Sequence, residues 1–524
     1  MSTWTPSSWS SKPIAQPVEY PDQEHLNSVL AKINILPPLV TPAEIERLRH
    51  QLAAVQRNEA FLLHAGDCAE SFDACTQENI SAKIGLILSF SLILIWGAHL
   101  PVVRIGRIAG QYAKPRSKPT ETIGGEQVLN FRGDNVNGYV SLHSSTSTRH
   151  PSLPRLDPND RTPDPERLLS AYFHSAATLN YIRGLLTSGF ASLHHPRDWS
   201  LSHVRSPSIR RKFESITEGL ADALDFSRTI GSDLGRECSY ERGGGRGVLG
   251  QVDFFTRSDP NSGLVFLALC LAWNCHSHEA LMLDYEQAMT RKFPLTGEDV
   301  RPPSDGFYNT SAHFLWVGDR TRQVDGAHVE YFRGIRNPIG IKVGPSLGCE
   351  ELTRLLDVVN PDKEPGRVTL ITRYGATKVR DHLPGHIQAV TSSGHPVAWI
   401  CDPMHGNTVT SASGLKTRNF GTIIRELISC TTIHSECGSR LGGVSLEFTG
   451  EFNEAGFSVT ECLGGSMELS EDQLELRYHS FCDPRLNFEQ ALDVAFIVSN
   501  YFKEERGNAR AEDIFKGLLG SEQK

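Results

Sequence analysis

Eight side chains stand out because each sits at the end of a short apolar run or in a short polar motif downstream of one. Arg107 closes PVVRIGR, Arg320 follows HFLWVGD, Lys342 lies near the end of PIGIKVG, and Arg373 ends RVTLITR. Guanidinium forks match phosphate and carboxylate oxygens, and an ammonium adds a compact charge. Brought into one cavity, these four cations repel one another unless a multiply charged anion neutralises them. Left apart, they are four ordinary surface ion pairs. The second set is Cys68 in HAGDCAESF, His405 in CDPMHGNT, Glu447 in SLEFTG and Asp483 in CDPRLN. One thiolate, one imidazole and two carboxylates suit Mn²⁺, Fe²⁺, Co²⁺ or Zn²⁺ better than Mg²⁺ or Ca²⁺. These ligands have no diagnostic interval. Singly, each also reads as a buried thiol, a loop hydrogen-bonder, or a solvated or capping acid.

What could gather them is a set of eight apolar runs. They are AFLLHAGD from Ala60, PVVRIGR from Pro101, VLGQVDFFT from Val248, HFLWVGDR from His313, PIGIKVG from Pro338, RVTLITR from Arg367, PVAWICD from Pro396 and GVSLEFTG from Gly443. Helix-like stretches such as CEELTRLLDVV separate several of them. Eight buried strands alternating with helices predict an α/β chain folded as a (β/α)₈ TIM barrel. An open doubly wound sheet competes, but no GxGxxG follows a first strand. In such a barrel the active site forms at the C-terminal strand ends. Those ends carry Cys68, Arg107, Glu279 (displaced from its run), Asp319-Arg320, Lys342, Arg373, Asp402 with His405, and Glu447.

The remaining organisation is read as an N-terminal arm and helix (1–59), a barrel (60–500) and a charged tail (501–524). Thr41-Pro42-Ala43-Glu44 predicts a capped helix start. A helical insertion is expected at about 150–235. Ile84 to Val103 is nearly free of charge, and roughly 20 apolar residues would span a bilayer. Pro101 interrupts it, so a buried helix followed by a strand is expected, with no membrane span.

The chain has 524 residues, 39% of them hydrophobic and 22% charged. Such composition supports a large folded core. The net charge of −9 argues against a dedicated nucleic-acid partner while leaving room for a basic pocket. Eleven scattered cysteines without a CxxC pair favour a reduced, cytoplasmic setting over a disulfide scaffold. The N-terminus lacks the apolar core of a signal peptide.

Ten segments then carry a specific likeness: AGDCAESF, GRIAGQYAKPRS, FRGDNVNGY, HHPRDWSLSHVRSP, SHEALMLDYEQ, WVGDRTRQVDGAHVEYFRGIRNPIGIKVGPS, LITRYGA, CDPMHGNT, TECLGGS and YHSFCDPRLN. Together they resemble the class II, plant-type 3-deoxy-D-arabino-heptulosonate 7-phosphate (DAHP) synthases, fungal members most of all. The resemblance runs from the WTPSSW arm nearly to the C-terminus. It implies a transferase condensing phosphoenolpyruvate with erythrose 4-phosphate, the first step of the shikimate pathway. It also implies a divalent metal, manganese first among the candidates, on Cys68, His405, Glu447 and Asp483. Phosphoenolpyruvate contacts fall on Arg107, Arg320, Lys342 and Arg373 with Asp319 beside them, and Lys114, Arg116 and Ser117 match the sugar-phosphate region. Lys342, Arg373 and Glu279 are the expected catalytic groups. Lys342 serves either to relay a proton or as an electrostatic clamp, and nearby anions favour its ammonium form. Cys482 matches a cysteine that can pair with the metal cysteine in an oxidised, inactive form. Aromatic amino acid effectors and a homo-oligomer are further expectations.

The chain departs from the family pattern at Asp319 (often glutamate), Tyr374 (usually methionine), Ser445 (a histidine) and His64 (commonly glutamine). Residues 257–276, RSDPNSGLVFLALCLAWNCH, interrupt a motif that otherwise runs from VDFFT into SHEAL. Excising them restores the motif in frame, so an unspliced intron is the favoured reading and a real insertion at the pocket mouth the other. These departures motivate two alternatives: a catalytically weak paralogue acting as a regulatory or binding subunit, and the same reaction in a secondary-metabolite pathway.

Overall fold

In the computed structural model, eight parallel strands close a barrel in chain order. They are β1 (Phe61–Gly66), β2 (Val102–Arg107), β3 (Cys275–Glu279), β4 (Phe314–Val317), β5 (Ile339–Val343), β6 (Val368–Thr372), β7 (Val397–Cys401) and β8 (Gly443–Glu447). The structure describes residues 3–123, 126–139, 158–188, 190, 207–229, 275–294, 305–466, 469–480 and 482–520. Strand residues are buried almost throughout, which is why these segments read as continuous apolar runs rather than alternating ones. Pairing of β1 with both β2 and β8 sets Gly66 level with Arg107 and Glu447. Three chemically useful strand ends therefore sit on one rim.

Seven of the eight expected runs form barrel strands. The third differs. VLGQVDFFT lies outside the described residues, and Cys275–Glu279 takes the third place, with Cys275 beside Ile105 and His276 beside Gly106. The last two residues of the segment read as an insert thus belong to the barrel wall. CHSHE carries too many polar residues for an apolar-run search to find it. His276 is nonetheless satisfied inside, with Nε2 2.9 Å from the Ser311 carbonyl and Nδ1 2.9 Å from His313 Nδ1.

Helices α1 (Gln23–Ile35) and α2 (Pro42–Gln56) precede the barrel. The predicted capping box opens α2: Thr41 Oγ1 accepts from the Glu44 amide and Glu44 Oε2 accepts from the Thr41 amide. Helix α3 (Gln77–Ala98) is the apolar stretch that could span a bilayer by length and composition, but most of it is buried inside the protein. It stops at His99, whose φ of +54° ends the helix before Pro101. Helices α4 (Glu166–Thr187) and α5 (Pro207–Thr229) lie in the region read as a helical insertion. Helices α6 (Leu283–Met289), α7 (Ala327–Gly334), α8 (Cys349–Val359), α9 (Val379–Ser393) and α10 (Phe420–Glu436) follow strands β3 to β7. Helix α11 (Phe488–Gly520) packs on α3 and runs through the expected boundary at residue 501. Phe502 is buried, its ring 5.4 Å from that of Phe61, so apolar packing carries this helix past the point where charge density rises.

A buried ionic network braces the rim behind Cys68. Lys83 of α3 pairs with Asp67, and Arg485 reaches Asp67 Oδ1 at 3.0 Å, Glu461 Oε1 at 3.2 Å and Glu451 Oε2 at 3.6 Å. Burial pushes the Glu451 carboxyl up, but Arg485, His479 and Lys83 outweigh it and bring it from 4.5 to about 2. A lowered carboxylate stabilises the fold fully above its unfolded value and loses that contribution as pH falls through the folded one. The gap corresponds to about 3 kcal/mol. Glu451→Gln should therefore cost stability at pH 6, and the difference from the parent should shrink between pH 4.5 and 2. Denaturant unfolding across that range checks it; a pH-independent difference contradicts the network.

Candidate active site

Every candidate residue lies at the C-terminal rim. Cys68 follows β1, Arg107 and Glu279 end β2 and β3, Asp319-Arg320 follow β4, and Lys342 is in β5. Arg373, His405 and Glu447 belong to β6, β7 and β8 or the turns after them, and Asp483 lies between β8 and α11. A cavity of about 690 Å³ is lined by all four proposed cations, by Glu279, Asp319, His405 and Asp483, and by Lys114, Arg116 and Ser117; Cys68 and Glu447 are buried next to Asp483. Two glycines give the rim its room. Gly66 has φ +145°, and a Cβ there would lie 2.6 Å from the Arg107 carbonyl oxygen. A side chain at Gly318 would overlap the Glu279 carboxylate.

The metal-competent groups converge. Ligand atoms of Cys68, Glu447 and Asp483 all lie within 4.8 Å of one another. His405 Nε2 is 3.1 Å from Glu447 Oε1. His405 Nδ1 is 2.7 Å from Asp402 Oδ2, and Asp402 Oδ1 accepts the amides of Met404 and His405. This carboxylate holds the ring so that Nε2 faces the ligand cluster. Burial raises the Glu447 and Asp483 carboxyls. For Glu447 the neighbours His405, Arg418 and Arg107 outweigh it, and for Asp483 the neighbour Lys114 does so with help from His405 and Arg418. Both stay ionised, as metal ligands must. A thiol and two carboxylates in this compass, with the His405 imidazole beside Glu447, fit a divalent transition ion. Cys68 is also joined to Cys482 as a disulfide, with Cα atoms 7.0 Å apart, and reduction frees its sulfur for ligation.

The cations are less free than their sequence positions imply. Arg107 donates to Glu447 Oε1 at 2.9 Å and to the Asp67 and Cys68 carbonyls, with its guanidinium 5.1 Å from the Trp316 ring centroid. Arg373 donates to Asp319 Oδ2 at 2.8 Å, and Arg322 holds the other oxygen at 3.0 Å. Lys342 pairs with Asp402. Burial and Arg107 pull Lys342 below the ordinary lysine value against the upward pull of Asp402, so without a bound anion its charge is less secure than the sequence suggests. Arg320 donates to Ser117 Oγ at 2.9 Å, joining the segment 114–117 to the loop after β4. Arg116 donates to the Phe131 carbonyl at 2.5 Å. Lys114 Nζ reaches Cys68 Sγ at 2.7 Å and Asp483 Oδ2 at 3.1 Å, which places it against the metal ligands. Glu279 is buried, burial raises its carboxyl, and its Oε1 has no hydrogen-bond partner among the described residues.

With this geometry the comparisons are decisive. The model of the Class-II DAHP synthetase family matches residues 4–260 and 268–499. The chain belongs to this family. A phospho-2-dehydro-3-deoxyheptonate aldolase of Neurospora crassa is 48% identical over 519 residues, covering 97% of this chain and 96% of the relative. One of Streptomyces coelicolor is 41% identical over 499 residues, covering 95% and 97%. The family match breaks at 261–267, inside the apolar segment.

Two positions expected to depart from the family pattern meet in the fold. His64 and Ser445 are register partners on β1 and β8. His64 Nδ1 lies 3.0 Å from Ser445 Oγ and Nε2 lies 3.0 Å from Ser277 Oγ. The buried imidazole is thus held through both ring nitrogens, two strand positions below Glu447 on the facing strand. Burial, with Arg107 and Lys342, pushes His64 well below the ordinary histidine value, so it is neutral. Tyr374 is buried, with its hydroxyl 2.6 Å from His386 Nδ1. Asp319 keeps its ion pair with Arg373 despite the shorter side chain.

Sequence patterning does not single out Arg418, yet it is fully buried and donates to Glu447 Oε2 at 2.8 Å. It follows no apolar run, being in the strand Lys416–Asn419 of a small separate sheet. Asp402, by contrast, is legible in the sequence: it ends the run PVAWICD and stands three residues before His405 in DPMH.

Proposed function

We propose that this protein is an active DAHP synthase, condensing phosphoenolpyruvate with erythrose 4-phosphate and water to DAHP and inorganic phosphate. The observation that carries the proposal is the convergence of Cys68, His405, Glu447 and Asp483 beside Arg107, Lys342 and Arg373 on one cavity. Cys68, His405, Glu447 and Asp483 would hold a divalent metal, manganese being the first candidate, which supplies Lewis acidity toward the aldehyde oxygen.

The protein's own groups supply the rest. Arg107, Lys342 and Arg373 bind phosphate and carboxylate of phosphoenolpyruvate and fix C3 within attack distance of the aldehyde. Asp319 holds the Arg373 fork in place. Arg116 and Ser117 take the phosphate of erythrose 4-phosphate, Arg320 joins the phosphoenolpyruvate set and reaches Ser117 Oγ at 2.9 Å, and Lys114 lies between that segment and the proposed metal ligands. When C3 attacks, positive character grows at C2 and water adds there. Glu279, with Oε1 unpartnered and its carboxyl raised by burial, is placed to accept the proton of that water. Phosphate then leaves, and the same cations stabilise the charge developing on it. We place the reaction in the cytoplasm, in keeping with seven free cysteines among the described residues. We further propose a homo-oligomer with aromatic amino acid effectors, as in similar synthases.

The test is a steady-state assay of the reduced protein. Phosphoenolpyruvate consumption and phosphate release should match DAHP formation, chelator should abolish all three, and Mn²⁺ should restore them. A folded, metal-loaded protein without turnover overturns the synthase reading and favours a binding subunit.

A further inference from the structure

The buried guanidinium of Arg418 makes no contact with the four strand-end cations, and its side chain is entirely enclosed. Nη1 donates to Glu447 Oε2 at 2.8 Å and also to the Pro484 carbonyl, the residue next to Asp483. Nε donates to Thr408 Oγ1 at 3.0 Å, in the strand that follows the His405 turn. One planar group thus touches the segments bearing three of the four proposed ligands. Arg107 completes the arrangement from the opposite side, on Glu447 Oε1 and on the carbonyls of Asp67 and Cys68.

We infer that Arg418 is a positioning residue for the metal centre: it sets the spacing of Glu447, Asp483 and the His405 turn before the ion arrives. Two physical arguments carry this. A carboxylate gripped through both oxygens by two guanidinium groups has little rotational freedom, so ligation costs little further ordering. Charge points the same way. Thiolate, two carboxylates and neutral imidazole sum to −3 and a divalent ion leaves −1; Arg418 is the wholly enclosed cation on Glu447, as Lys114 is the cation on Cys68 and Asp483. Arg107 faces the substrate cavity and is available to balance the anion bound there.

The inference rests on the proposed metal site. Its test is calorimetric titration of Mn²⁺ into the reduced, metal-free parent and variants, alongside kcat and KM for phosphoenolpyruvate. Arg418→Met should weaken Mn²⁺ about 10–100-fold, with KM for phosphoenolpyruvate at saturating Mn²⁺ changing far less. Arg418→Lys keeps the charge but gathers its donors on one nitrogen, without the planar fork that reaches Thr408 and Glu447 from separate atoms, and should recover part of the affinity. Thr408→Val removes only the Nε contact and should lose a few-fold, which supplies the measurement should Arg418→Met fail to fold. Parent-like Mn²⁺ affinity in a folded Arg418→Met, or in both milder variants, overturns the role of Arg418. A parent that binds no Mn²⁺ instead overturns the metal site itself.

Discussion

Glu447→Gln is expected to be the most damaging single substitution in this protein. The carboxylate is wholly buried and is shared by Arg107, Arg418 and His405. An amide offers one neutral oxygen and a donor that confronts a guanidinium. Two cations are then left buried without their counter-charge, and breaking a buried pair from one side costs about 3–5 kcal/mol. The proposed metal centre loses an anionic ligand at the same time. If that removes about 4 kcal/mol of transition-state stabilisation, turnover falls about a thousandfold. Chemical unfolding and Mn²⁺ titration separate the two effects. A variant with parent stability would show that the guanidinium clamp is not what holds Glu447.

Lys342→Met should come second, by a different route. The ammonium is buried and paired with Asp402, which also holds the His405 ring and two backbone amides. Its removal takes a cation from the proposed phosphoenolpyruvate site and leaves Asp402 without its ammonium partner. Loss of one preorganised charge at developing negative charge costs about 10²–10³-fold in kcat. The loss in kcat/KM should be larger, because ground-state anion binding weakens as well. Lys342→Arg should not restore activity, since a planar fork does not occupy the space of a compact ammonium. Rapid-quench measurement of phosphate release reads the chemical step directly, and a variant impaired only in KM would restrict Lys342 to binding.

The fold was legible because burial on both faces leaves a continuous apolar run, and seven of eight barrel strands carry one. β3 was not. Its residues Cys275–Glu279 are mostly polar, and their burial is made tolerable only by partners such as Ser311 and His313 on the neighbouring strand and the turn before it. The His64 and Ser445 departures illustrate the same limit. In sequence they are two unrelated positions 381 apart. In register across β1 and β8 they are one hydrogen-bonded pair.

Residue type and the polar groups at the ends of apolar runs determined, without coordinates, that the barrel rim carries a thiol, an imidazole, two acids and several cations. Tertiary structure alone decided how they pair. It set Arg107 on Glu447, Lys114 on Cys68 and Asp483, Asp402 between Lys342 and His405, and brought Arg418 into the centre from a separate small sheet. The reason is geometric. Burial and periodicity are local properties that a strand writes into its own residues. An ion pair between strands hundreds of residues apart depends on barrel closure and register, which no single segment encodes.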